Sequence, residues 1–185
     1  MANIPKIGLK MNIDTKIEFK MINIAILTVS DTRNEQTDVS GKILYKLIDE
    51  TGHFIPYTGI VKDDKEEIIN WIKTIVNKNE VDVIITTGGT GLTGRDITPD
   101  AIEQICQKMI PGFGELFRML SYGKIGTSTI QSRTTAGLYN GVYIFALPGS
   151  KGAVKDGWNE ILKYQLDNRH KPCNFVDIMP RLNEK

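Results

Sequence analysis

At 185 residues, with 41% apolar and 24% charged residues, the chain has the make-up of one globular domain and is too short for two comfortable ones. A net charge of +1 gives no global field for nucleic acid or a membrane surface, and no apolar run approaches the ~20 residues of a bilayer span. Two cysteines, Cys106 and Cys173, make neither a disulfide framework nor a metal cluster, and the N-terminus lacks the apolar core of a signal peptide. A reducing cytoplasm is therefore the expected setting.

Residues 1–20 hold four Lys, two acids and no sustained period, which reads as a poorly ordered extension or a short lead strand. A single domain is expected over 21–185. It opens on the apolar run 21–29, a buried strand ending in Ser30-Asp31-Thr32-Arg33 and a polar loop to Val39. Ser40 is placed to cap a helix carrying Ile43/Leu44 and Leu47/Ile48, with Gly52 as its stop. Residues 54–61 form a second strand, and Pro56 inside it argues for a sheet edge.

Lys62-Asp63-Asp64 opens a helix with Ile68, Ile72, Ile75 and Val76 on one face. Strand three covers 81–86 and runs into a glycine-rich loop. Thr98 is expected to cap the next helix, with Pro99 at its first position and Cys106 on its apolar face as a core thiol. Phe113, Leu116, Phe117 and Leu120 make a further amphipathic turn, and 127–133 reads as a short extended piece. Residues 142–147 are a strongly apolar strand closed by Pro148-Gly149-Ser150. A last helix turns Val154, Trp158, Ile161 and Leu162 inward. Strands alternating with helices give an α/β class with a mainly parallel sheet covered on both faces.

In such sheets ligands bind outside the carboxyl ends of the strands. That rule selects loops 30–39, 62–64, 87–98 and 148–152. Gly88-Gly89-Thr90-Gly91 can turn backbone N–H groups toward an anion, and a helix N-terminus lies behind it. Gly89-x-Gly91-x-x-Gly94 also satisfies a dinucleotide fingerprint, but the helix opens only at Thr98-Pro99. The acidic strand that fingerprint requires would fall on 111–116, which is not strand-like. A phosphate cradle fits better than a nicotinamide site.

Asp63 and Asp96 are the candidate carboxylates for Mg²⁺, whose preferred donors are carboxylate and phosphate oxygens. The plainer role for either is a helix N-cap, and Asp64 and Asp100 read as helix-start residues. Ser30 and Asp31 either close a local turn or touch a ligand edge. Arg33, Arg95 and Arg133 have the fork geometry for phosphate, and Pro148-Gly149-Ser150 either presents backbone amides and a hydroxyl or simply ends a strand. His53 and His170 have no partner pattern for catalysis.

The segment 87–101, Thr-Gly-Gly-Thr-Gly-Leu-Thr-Gly-Arg-Asp-Ile-Thr-Pro-Asp-Ala, resembles the signature of the MoaB/MogA molybdenum-cofactor biosynthesis proteins. So do segments 27–33 and 111–115 and the pair Ser132-Arg133. Residues 145–150, 165–167 and 169–175 favour the MoaB branch. The resemblance spans about residues 21–182 and implies a three-layer α/β/α molybdopterin-binding fold.

It also implies an activity: Mg-ATP-dependent adenylation of molybdopterin, with pyrophosphate released. By position, Asp63 and Asp96 correspond to the family's two functional aspartates. Gly88, Gly89, Thr90 and Gly91 correspond to its phosphate loop. Ser30, Asp31, Arg95, Ser132, Arg133, Pro148, Gly149 and Ser150 fall in the matching pocket segments. ATP, Mg²⁺ and molybdopterin are the implied ligands, with no tightly bound redox cofactor. A homo-oligomer is implied too, commonly a hexamer in the MoaB branch and a trimer in the MogA branch, with a molybdenum-insertion protein downstream. The alternative is a non-catalytic carrier of molybdopterin or its precursor. A related domain of competence-associated proteins is more remote, because its glycine loop differs.

Overall fold

The computed structural model describes residues 12–184. In chain order these form β1 (Asn12–Ile13), β2 (Ile24–Val29), α1 (Val39–Asp49), β3 (Thr58–Val61), α2 (Lys65–Val76) and β4 (Val83–Thr87). There follow α3 (Thr98–Ile105), β5 (Lys108–Met109), α4 (Pro111–Ile125), a 3-10 turn (Gly126–Gln131), β6 (Thr135–Tyr139) and β7 (Val142–Leu147). The last part holds α5 (Lys151–Asp156), a π-helical stretch (Gly157–Leu162), α6 (Lys163–Gln165), β8 (His170–Lys171) and α7 (Phe175–Ile178).

Six strands make one sheet in the order β3-β2-β4-β7-β6-β5. The first four run parallel, β6 is antiparallel to β7, and β5 is antiparallel to β6. Every residue of β2, β4 and β7 is buried, as central parallel strands with both faces covered must be. Alternation then sorts their side chains into two cores. Ile24, Ile26, Val83, Ile85, Phe145 and Leu147 face α1, α4 and the last helix, packing on Leu44, Phe117, Val154 and Trp158. Ala25, Leu27, Ile84, Ile144 and Ala146 face α2 and α3, packing on Ile68, Ile72 and Ile102. Each large side chain buried this completely contributes about 1.5–3 kcal/mol. The result is the expected three-layer α/β/α fold.

Several local expectations change. Asp38 caps α1, accepting from the Gly41 amide at 2.8 Å and from the Thr28 hydroxyl at 2.6 Å. Ser40 instead donates to the Gly149 carbonyl at 2.6 Å, so it ties α1 to the loop after β7. Asp64 caps α2 through the Glu67 amide, which leaves Asp63 outside the helix. Thr98 begins α3 without capping it and donates to the Gly88 carbonyl at 2.9 Å. The turn expected around Phe113 is a fifteen-residue helix, and the piece expected as extended over 127–133 is mostly 3-10. The strand expected over 54–61 is regular only from Thr58, and it does lie at a sheet edge.

Residues 1–11 of the expected N-terminal extension lie outside the described residues. Its second half packs on the domain: β1 pairs antiparallel with β8, and the Lys20 amide donates to Asn168 Oδ1 at 2.9 Å. The Phe19 ring lies 5.0 Å from the His53 ring, which sits edge-on to Trp158. Burial pushes the His53 imidazole down to about 4. Neither histidine lines the cleft described below.

Candidate functional site

The four parallel strands end on the same side of the molecule, so the loops after β2, β3, β4 and β7 meet there. Close backbone approach is what makes this possible. Gly88 has φ +109°, and a Cβ at that position would collide with the Val29 carbonyl. Gly89 has φ +62°, and its Cβ would stand 3.0 Å from Asp63 Oδ1. Both positions need the left-handed backbone that glycine adopts without strain. The loop is pinned from α3, with the Thr98 amide donating to the Gly89 carbonyl at 3.0 Å and the Thr98 hydroxyl to Gly88. The Gly88 amide donates to the Leu147 carbonyl at 3.0 Å, and the Thr87 hydroxyl to Pro148 at 3.2 Å. The glycine loop is thereby locked to the loop after β7.

A cleft of about 630 Å³ opens on this junction. Gly88, Gly89, Thr90, Gly91, Asp96, Ser132, Pro148, Gly149 and Ser150 all line it. The opposite wall comes from residues the sequence reading did not single out as ligand contacts: Phe117, Ser121, Lys124 and Ile125 of α4, then Ser128, Thr129 and Gln131 of the 3-10 turn. The Ser/Thr density of 127–129 was the available cue. An extended reading of that segment points alternate side chains apart, whereas the 3-10 turn sets Ser128, Thr129 and Gln131 along one wall. Asp156 closes the far side and pairs with Lys124.

Ser30, Asp31, Asp63 and Arg95 stand on the other side of the glycine loop, outside the cleft lining. Asp31 and Asp63 bind each other's backbones: the Asp31 amide donates to Asp63 Oδ2 at 3.0 Å, and the Asp63 amide to Asp31 Oδ1 at 3.2 Å. Arg95 reaches across to Asp31 Oδ2 at 3.1 Å with its side chain 78% exposed, so water screens the pair and it opens easily. Ser30 turns its hydroxyl to the Thr32 amide. Arg33 points away, toward the Thr37 carbonyl and a second hollow beside α1 and β3.

The two candidate aspartates sit in different environments. Loss of water is the main reason the Asp63 carboxyl lies above its ordinary 3.8; the charges of Asp31 and Asp96 add to the rise, and the Asp31 amide and Arg95 oppose it. Desolvation also acts against the Asp96 charge. There the Thr93 hydroxyl and amide, the Gly91 amide and Arg133 outweigh it and hold the carboxyl below 3.8. The Thr93 bonds measure 2.6 and 2.9 Å. A Cβ on Gly91 would lie 2.8 Å from Asp96 Oδ2, so this glycine leaves room for the carboxylate.

No group of three or more His, Cys, Asp or Glu converges among the described residues, so side chains alone form no metal cage. Two carboxylates beside a glycine loop is nonetheless the kind of donor set Mg²⁺ takes, since that ion completes its shell with phosphate oxygens and water. No helix among the described residues is long and apolar enough to cross a membrane.

Known proteins match this chain over most of its length. Residues 25–168 match the family model described as "Probable molybdopterin binding domain". Molybdenum cofactor biosynthesis protein B of Escherichia coli K12 is 45% identical over 158 residues, which is 85% of this chain and 93% of that protein. A crystal structure of a molybdenum cofactor biosynthesis protein B superposes with a TM-score of 0.80 at 40% identity, covering 90% of this chain and 98% of the other. The tungsten cofactor synthesizing protein MoaB from Pyrococcus furiosus gives a TM-score of 0.70 at 38% identity, over 77% and 91% of the two chains.

Proposed function

Given that the chain belongs to the molybdopterin-binding family of molybdenum cofactor biosynthesis proteins, we propose that it binds molybdopterin in the cleft and adenylates it with Mg-ATP. In this reaction an oxygen of the pterin's terminal phosphate attacks the α-phosphorus of ATP. A new phosphoanhydride bond forms, the bond to the β-phosphate breaks, and pyrophosphate leaves. Such transfers rest mainly on positioning and charge neutralisation.

The observation that carries this reading is the meeting of Asp63 and Asp96 at a glycine loop that opens on a cleft. In the proposed complex the amides of Gly89 to Gly91 hold the pterin phosphate, and Phe117 and Ile125 face the ring system across the cleft. Ser132 and Ser150 supply hydroxyls at its edges. Arg95, weakly held by Asp31, swings to the ATP phosphates. Asp63 and Asp96 hold Mg²⁺, which when bound offsets the charge gathered on the two substrates' phosphates. The same reading makes the protein a cytoplasmic homo-oligomer that passes its product to a molybdenum-insertion protein.

The test is direct. Purified protein mixed with molybdopterin, ATP and Mg²⁺ is expected to form adenylated pterin and equimolar pyrophosphate. Tight pterin binding with no product would overturn the enzyme and leave a molybdopterin carrier.

A further inference from the structure

Arg133 was a candidate phosphate ligand, yet its guanidinium is already occupied. Nε donates to the Gly91 carbonyl at 2.8 Å, Nη1 to Asp100 Oδ2 at 2.8 Å, and Nη2 to the Asp96 carbonyl. Its own backbone amide donates to the Thr90 carbonyl at 2.8 Å. These contacts bracket the loop 91–96 at both ends, and all three guanidinium nitrogens are used. Arg133 also lies outside the main cleft, lining a smaller hollow between α3 and α4. Its neighbour Ser132 does line the cleft.

The segment around Arg133 is fixed in turn from α4. Arg118 Nη1 donates to the carbonyls of Ser132 at 3.3 Å and Thr134 at 3.1 Å. Gly114 lets α4 come this close, since a Cβ there would run into the Thr134 carbonyl. A continuous chain of contacts therefore runs from α4, which walls the cleft, through Arg118 and residues 132–134 to Arg133. From there it reaches the two carbonyls that frame the Asp96 loop.

We propose that Arg133 is a positioning residue: it clasps loop 91–96 so that the Asp96 carboxylate is already set at the glycine cradle before substrate arrives. The inference rests on the adenylation reading for its effect on rate, and on geometry alone for its effect on the loop. A flexible six-residue segment that carries a reacting-centre carboxylate loses rate when its geometry is only slightly wrong. Lysine keeps the charge at 133 but replaces a three-way fork with one compact ammonium, which cannot hold both carbonyls and Asp100 together.

The experiment compares wild type, Arg133→Lys and Arg133→Gln by amide hydrogen exchange without ligand, molybdopterin binding, and adenylation kinetics. In Arg133→Lys the amides of 91–97 are expected to exchange faster while the rest of the chain keeps its protection. Turnover should fall roughly 10–100-fold, as when a supporting partner of a reactive group is removed, with pterin affinity close to wild type. Arg133→Gln should show the same pattern, larger.

Unchanged exchange over 91–97 in both variants would overturn the clasp. Parallel loss of turnover and pterin affinity would also overturn it, in favour of direct phosphate contact. Faster exchange across the whole chain would reduce Arg133 to a general structural role. If wild type makes no adenylated pterin, the adenylation reading fails by itself. Local exchange with unchanged pterin binding then still decides the clasp.

Discussion

The parallel and antiparallel halves of the sheet serve the site in different ways. β3, β2, β4 and β7 all end at the same side, and each hands the site a loop: Asp63, Asp31, the glycine loop and Pro148–Ser150 in turn. β6 cannot do this, because it runs against β7 and delivers its start, not its end, to that side, while the two-residue β5, antiparallel to β6, delivers the start of α4. What arrives there is the segment 132–134, and with it α4 and the 3-10 turn. One half thus carries the candidate aspartates and the glycine loop. The other carries the wall of the cleft and the clasp. On the proposed reading, the separation is one of direct contact: the candidate metal ligands come from one half, and the far wall of the cleft from the other.

That separation sets four expectations. The largest effect belongs to the parallel half: Asp96→Asn is expected to lower turnover about 10²–10³-fold, the scale of removing one preorganised electrostatic group, while molybdopterin affinity measured by titration barely changes. Equal losses in both would erase the distinction. On the antiparallel side, Gly141 joins β6 to β7 with φ +81°. Gly141→Ala is expected to cost about 1–2 kcal/mol of stability, read from the urea midpoint, with the pterin constant unaltered.

Next comes the cleft wall. Ile125 is 56% exposed and lines the cleft, so its truncation leaves the core intact. Ile125→Ser should weaken pterin binding about 5-fold, for roughly 1 kcal/mol of apolar contact, without lowering turnover at saturation. A turnover defect there would tie this part of the wall to the reaction centre. The smallest effect is on pH. The Asp63 carboxyl lies above its ordinary value and Asp96 below, so as pH falls Asp63 takes up its proton first and sets the acid limb of kcat/KM. Asp31→Asn removes one of the like charges that raise Asp63 and also frees Arg95, so the limb should move to lower pH. A fixed limb would assign it to another group.

The same division decided what could be read from the sequence. β2, β4 and β7 announce themselves as continuous apolar runs, and the glycine loop with its delayed helix start is visible in the spacing of Gly88 to Pro99. β6 went unread because Thr-Ala-Gly-Leu-Tyr is short and carries a central glycine. Yet Asn140-Gly141, with φ values of +47° and +81°, is a two-residue hairpin turn whose residues demanded one. α4 was shortened to a turn because Gly112, Gly114 and Gly123 weaken its helical pattern. Gly114 is there for the close approach to Thr134, a tertiary need invisible in local propensity. Asp38 was passed over as a cap in favour of Ser40 because both are good cap residues. Only the packing of Thr28 and Gly41 against the carboxylate separates them. The roles of Arg133 and Arg118 depend on which carbonyls the folded chain brings near, and no spacing encodes that.

The ribbon of β1 with β8 has a consequence for the chain as a polymer. It fastens Asn12 to Lys171 and Ile13 to His170, so the early and late segments meet and the backbone between them forms a ring with a two-residue seam. The entropy of closing a loop rises with its length, and this loop is nearly the whole domain. Such a seam is expected to form only after the sheet and both helical layers have brought its edges together. It is expected to be a fastening made late, on a molecule already built, and Phe19, a few residues further along, lies 5.0 Å from the His53 ring.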